Sequence, residues 1–133
     1  MTYDKRKIQK FLEKTSVQVL HELKQEDASV RIFLLRSEPM RQLARDYLHK
    51  EKDIVDVLSF PEPQGFPHPD VQGKFLGEIY LNWEIFKKDI PYLSFLMVHG
   101  ILHLLGYTHE EKHDTMSMQR LEKRLCKHIV SPD

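Results

Sequence analysis

His99-Gly100-Ile101-Leu102-His103-Leu104-Leu105-Gly106-Tyr107-Thr108-His109 is the stretch on which the reading of this chain turns. Residues four apart on a helix share a face, so His99 and His103 can aim their imidazoles at one point. Gly106 can take the left-handed conformation that closes a helix and reverses the chain. Such a turn swings His109 back toward the same point. Three neutral imidazoles with one position left open form the ligand set of a catalytic zinc, so His99, His103 and His109 are the expected metal ligands. His113 is the alternative third ligand, but the glycine-turn spacing favours His109.

The helix carrying the pair is apolar almost all round, through Leu93, Phe95, Leu96, Met97, Val98, Ile101, Leu102, Leu104 and Leu105. That is the pattern of a buried helix. Imidazoles in such a setting need partners, because an unpaired buried polar group costs a few kcal/mol. One ion satisfies three. Histidine, a second histidine four later, glycine seven later and histidine ten later also make up the long metzincin pattern. Zinc peptidases place a glutamate base directly after the first histidine. Here that residue is Gly100, which cannot take a proton. The metal cradle is kept without the peptidase base, so peptide hydrolysis is not expected, while metal-assisted attack at a phosphoryl group stays open.

Two further segments, Val55-Asp56-Val57-Leu58-Ser59-Phe60-Pro61 and Leu76-Gly77-Glu78-Ile79, precede the histidines. In order and spacing the three segments resemble the signatures of the YbeY family. Its members are bacterial single-strand-specific metallo-endoribonucleases, implicated in maturing the 3′ end of 16S ribosomal RNA and in ribosome quality control. The resemblance covers roughly residues 30–125. It implies one zinc, or another divalent ion, on His99, His103 and His109, and a strand and turn from Asp56 to Pro61 beside the metal cleft. It implies single-stranded ribosomal RNA and the ribosome as partners, and no DNA.

Two positions depart from the family's pattern. The family usually has Tyr-Arg-Gly a few residues before the aspartate, and its arginine is thought to take part in RNA cleavage. This chain has Leu48-His49-Lys50, so His49 stands in the arginine's place as the candidate catalytic residue. Histidine lacks the bidentate fork of arginine, and Arg45, Lys50 and Lys52 are other sources of positive charge. The residue before the third histidine, usually aspartate, is Thr108, a poorer partner for a ligand imidazole. Asp56 and Ser59 are candidate substrate-binding residues, with a structural role open for each.

A length of 133 residues suits one domain, 1–133, with one sizeable core. With 41% hydrophobic and 30% charged residues the chain has an ordinary globular composition. No apolar run approaches the ~20 residues needed to span a bilayer. The polar start, Met1 to Lys7, leads into no apolar signal segment, so a cytoplasmic location without membrane contact is expected. A single cysteine, Cys126, forbids an internal disulfide, in keeping with a reducing compartment. Twenty basic and twenty acidic residues cancel, so composition alone does not argue for nucleic-acid binding. Any RNA site must be local. Arg36, Arg41, Arg45, Lys50 and Lys52 are its candidates, set against the plainer reading of a solvated helix face.

Periodicity predicts a helix near 5–25, a strand at 29–35, and a helix from a Ser37 cap to about Lys50. Strands follow at Val55–Phe60 and Leu76–Leu81, then a short helix behind an Asn82 cap. The metal helix starts after Pro91, and a last helix spans about Asp114–Ile129. Alternation puts Asp56, Leu58 and Phe60 on one face of their strand, and Val57 and Ser59 on the other. The proline-rich segment from Pro61 to Lys74, which holds His68, is a substrate flap or a plain connector. The order predicts an α/β fold: a small mixed sheet packed against helices, with a metzincin-like metal helix and turn. Three functions stay open: a zinc endoribonuclease, a metallohydrolase for another substrate, and a ribosome-associated protein with a structural zinc.

Overall fold

In the computed structural model, which describes residues 4–63, 73–107 and 112–127 (backbone alone for 112–115), the chain opens with a capped amphipathic helix. The Asp4 side chain accepts from the Lys7 amide at 2.8 Å and starts α1 (Lys5–Glu22). Its buried stripe is Ile8, Leu12, Val19 and Leu20. The helix stops short of the expected residue 25 because Lys24 turns left-handed, at φ 59°. The Lys24 and Gln25 amides then bond back to His21 and Leu20.

The sheet is mixed, as expected. Strand β1 (Ala28–Leu35) runs parallel to the central β3 (Lys74–Asn82), and β2 (Val57–Pro61) pairs antiparallel on its other side. Ile32 and Leu34 of β1, and Ile79 and Leu81 of β3, face the main core with α1, α4 (Ile90–Leu104) and α5 (Lys112–Cys126). On the opposite face α2 (Ser37–Leu48) covers Val55 and Leu58 with Met40 and Ala44. Val57 packs toward the first core and Leu58 toward the second, so β2 alternates as its sequence predicts. Pro61 can end this strand because β2 lies at the sheet edge. Among the described residues, no helix is long and apolar enough to cross a membrane.

One cap differs from expectation. Ser37 lies inside α2, and Arg36, at the cap position, makes no side-chain cap bond. The Ser37 amide donates instead to Glu84 Oε1 at 3.0 Å, a carboxylate from the short helix α3 (Trp83–Phe86). A distant acid thus satisfies an orphan amide that a local side chain was expected to take. The Ser37 amide and hydroxyl, with Arg36 beyond them, hold the Glu84 carboxyl below its ordinary range. Asn82, which is buried, ties the neighbourhood together. It caps α3 through the Ile85 amide at 3.2 Å, and its Nδ2 reaches Ser37 Oγ at 3.1 Å and the Val55 carbonyl at 3.2 Å.

Asn82→Ala removes a cap and two buried bonds, and should cost about 2–4 kcal/mol, measured by urea unfolding. Glu84 has a lowered folded value, so its contribution is present above the unfolded carboxyl value and lost as pH falls through the folded one. Glu84→Gln should therefore shrink the loss of stability on the acid side of pH 4.5, read as a flatter curve of melting temperature against pH.

Candidate metal centre

Helix α4 starts where Asp89 accepts from the Tyr92 amide at 3.1 Å, with Pro91 in its first turn. Leu93, Leu96, Met97, Val98, Ile101 and Leu102 bury its apolar faces. His99 is half-buried and His103 exposed, one turn apart. Their Nε2 atoms lie 2.9 Å from one another. That is a hydrogen-bond distance, shorter than the roughly 3.3 Å between two ligands of a tetrahedral zinc, and it turns both ring nitrogens toward one point.

Behind His99 stands a residue the sequence reading missed. Glu122 of α5 is 4% exposed, and its Oε2 lies 3.3 Å from His99 Nδ1. A carboxylate accepting from Nδ1–H fixes that tautomer and leaves the Nε2 lone pair facing outward, which is how metal-binding imidazoles are commonly held. The signal was available in the chain. Glu122 falls between Met118 and Leu125 on the core-facing stripe of α5, where a carboxylate needs a partner.

The expected turn is present. Gly106 has φ 100°, its amide donates to the His103 carbonyl, and the Tyr107 amide donates to the Leu102 carbonyl, both at 3.0 Å. This is the Schellman closure, and its left-handed residue is costly for any side chain but glycine. His109 and Thr108 lie outside the described residues, as do His68 and the side chain of His113. Among the described residues no three His, Cys, Asp or Glu groups gather into an ion site. What is described fits half of one: two converging nitrogens, the carboxylate behind them, and a turn that redirects the chain.

Gly100 has a packing reason. A Cβ there would meet Ser59 Oγ at 3.0 Å and two atoms of Ile79 at 3.2 Å. Helix α4 rides so close to β2 and β3 that a larger residue at the peptidase-base position would have to push Ser59 or Ile79 aside by a few tenths of an ångström. Ser59 does face α4, as alternation predicts, and it sits at the contact between helix and sheet.

Asp56 departs from the alternation reading, which put it with Leu58 and Phe60. The strand starts two residues later than expected, at Val57, so Asp56 precedes it outside the alternation and lines the cleft with Val57. Its Oδ1 accepts from the Val57 amide at 2.8 Å and its Oδ2 from the Tyr92 hydroxyl of α4 at 3.3 Å. Burial first, and then the Asp56 charge, raise the Tyr92 hydroxyl above its ordinary value. Asp56 and His99 line one cleft of about 630 Å³, together with Tyr92, Phe95, Glu122 and Lys123. Cys126 also lines it, with its thiol pushed up to about 11 by burial and then by Glu122, so at neutral pH it is an apolar wall.

His49 is exposed in left-handed conformation at the end of α2, away from the residues lining this cleft. Arg41, Arg45, Lys50 and Lys52 line a separate pocket of about 280 Å³ with Glu51 and Asp53. Arg41 is paired with Glu38, and Arg36 with Glu84. Four of the five basic residues that the sequence grouped therefore stay together, apart from Arg36 and from the cleft, and the group is partly neutralised.

Gly100→Ala should destabilise the fold by about 1–3 kcal/mol through overpacking, and Ser59→Ala in that background should restore part of the loss. Urea unfolding of the two variants checks this.

Compared with known proteins, the chain matches the family described as Endoribonuclease YbeY over residues 1–130. It is 32% identical over 117 residues to the Endoribonuclease YbeY of Nitrobacter hamburgensis, covering 80% of this chain and 61% of that one. It is 28% identical over 126 residues to that of Francisella philomiragia, covering 88% and 79%. The solution structure of TM1509 from Thermotoga maritima shares the fold, with a TM-score of 0.63 at 24% identity over 96% of this chain and 84% of that chain. The chain spans 60 to 61% of the length of the Nitrobacter hamburgensis and Rhodopseudomonas palustris relatives. With the match running over nearly its whole length, this chain belongs to the YbeY family.

Proposed function

We propose that this chain is a zinc-dependent, single-strand-specific endoribonuclease of the cytoplasm, acting on the ribosome in 16S rRNA 3′-end maturation and quality control. The observation that carries the reading is the convergence of His99 and His103 Nε2 at 2.9 Å, with Glu122 behind Nδ1, in a chain that matches this family. His109 is the third ligand, brought in by the Gly106 turn in the metzincin manner. A zinc bound there would supply a Lewis acid for a phosphoryl oxygen and positive charge for an anionic strand.

The chain's own groups have separate tasks. Glu122 keeps the His99 ring turned, with Nδ1 toward the carboxylate and Nε2 toward His103. Asp56, held by the Val57 amide and the Tyr92 hydroxyl, offers a carboxylate at the cleft that can accept from a ribose 2′-hydroxyl. DNA lacks that group, so the contact favours RNA. Ser59 serves the site from behind, by setting the spacing of β2 and α4 at Gly100. His49, with Lys50 and Lys52, meets the backbone outside the cleft. Gly100 leaves no base for peptide hydrolysis, which separates this reading from that of a peptidase.

The test uses zinc-loaded protein, a single-stranded RNA carrying the 16S 3′ end, and measured metal content. The native chain should cleave this RNA, and His103→Ala should lose both the metal and the cleavage. Glu122→Gln should keep the fold and weaken metal affinity about 10- to 100-fold. Equal cleavage by native protein and His103→Ala, or none by either, would overturn the reading.

A further inference from the structure

We propose that the cleft beside His99 is a base-stacking subsite, in which the Phe95 ring is the platform for one unpaired nucleobase of the RNA strand. The inference rests on the endoribonuclease reading and adds to it a source of single-strand preference.

Tyr92, Phe95 and His99 follow one another on α4 at offsets of three and four, so their rings form a ladder along one face. Ring centroids lie 6.2 Å apart from Tyr92 to Phe95, with planes 21° apart. From Phe95 to His99 the values are 6.3 Å and 34°. The ladder leads into the histidine pair. Phe95 is 38% exposed on a helix whose other large apolar residues are mostly buried. Such an exposed ring on the wall of a cleft is a π-face held out to a ligand.

The cleft has the size of a ligand site, about 630 Å³ against the roughly 300–1,000 Å³ usual for such pockets. Its polar groups suit a nucleotide. Gln119 and Lys123, one turn apart on α5, line it opposite α4. The Gln119 amide can pair with a base edge, and the Lys123 ammonium can meet a backbone phosphate. Continuity with His99 sets the order along a strand: a phosphate at the histidine pair, and a neighbouring base on Phe95. A base within a duplex has both faces covered by its neighbours and cannot lie on this ring. Stacking on aromatics also tolerates any base.

The experiment measures fluorescence anisotropy of a labelled six-nucleotide single-stranded RNA on full-length protein, with chelator added to arrest cleavage and circular dichroism to verify the fold. Phe95→Ala should weaken binding about 5- to 100-fold, the range expected for one stacked base. Phe95→Leu, which keeps apolar bulk without a π-face, should be nearly as weak, and Phe95→Trp should bind like the native chain. Removing the base at one RNA position should reproduce the loss in the native protein and add nothing in Phe95→Ala. Lys123→Ala should lower the salt dependence by about one phosphate contact. Native-like binding by Phe95→Leu, or no abasic position coupled to Phe95, overturns the subsite, and zinc-loaded native protein still cleaving the RNA then leaves the endoribonuclease reading standing. Native protein that neither binds nor cleaves the RNA ends both.

Discussion

A buried carboxylate against an imidazole governs this molecule. Glu122 is nearly out of solvent, and removing a carboxylate from water costs several kcal/mol unless hydrogen bonds replace the water. The His99 Nδ1–H supplies one. Burying α5 against α4 and orienting the His99 ring are thus a single event. Any force that seats Met118 and Leu125 in the core also turns an imidazole nitrogen outward toward His103. The facing of the two imidazoles is set by the packing of α5 on α4.

Helix α4 serves two masters, and its sequence divides accordingly. One side must approach the sheet closely, which disfavours a side chain at Gly100. Another carries Tyr92, Phe95 and His99 to the cleft, with His103 one turn further along. The helix must then end within a turn of His103, which Gly106 accomplishes. The first demand selects chemistry as well as packing. A side chain after His99 would crowd Ser59 and Ile79, so this arrangement of helix on sheet keeps the histidine pair while disfavouring a glutamate at the zinc-peptidase base position.

The parts of this design that rest on local pattern were legible in the chain. Apolar periodicity located α1, α2, α4 and the strands, and the Asn82 and Gly106 signals ended or began helices where expected. The His99–His103 pair follows from a four-residue spacing alone. Contacts between distant elements were not legible. Glu84 capping α2 joins residues 47 positions apart, and nothing near Ser37 announces it. Glu122 falls on the apolar stripe of α5, which marks it as buried, but nothing near it announces its partner His99, 23 positions away. Asp56 departs from the alternation because the edge strand begins only at Val57, two residues after Val55, and alternation does not govern a residue ahead of the strand. His109, the third donor of the spacing argument, lies outside the described residues.

Charge then limits how the proposed endoribonuclease can hold its substrate. With twenty cations against twenty anions, and Arg36 and Arg41 paired with Glu84 and Glu38, a long strand gains little from counterion release. Each phosphate contact to single-stranded RNA contributes about 0.7 to the salt slope, so a few local contacts give a shallow dependence. Binding must then come mostly from short-range terms at the cleft: the ion, a carboxylate facing the ribose and an aromatic face. Such terms discriminate well but reach only one or two nucleotides. A chain built this way is selective once a strand is in place and poor at gathering RNA from dilute solution. On the proposed reading, a larger assembly that holds the strand near the cleft would supply the placement that this chain's own balanced charge does not, which is what the proposed ribosomal setting offers.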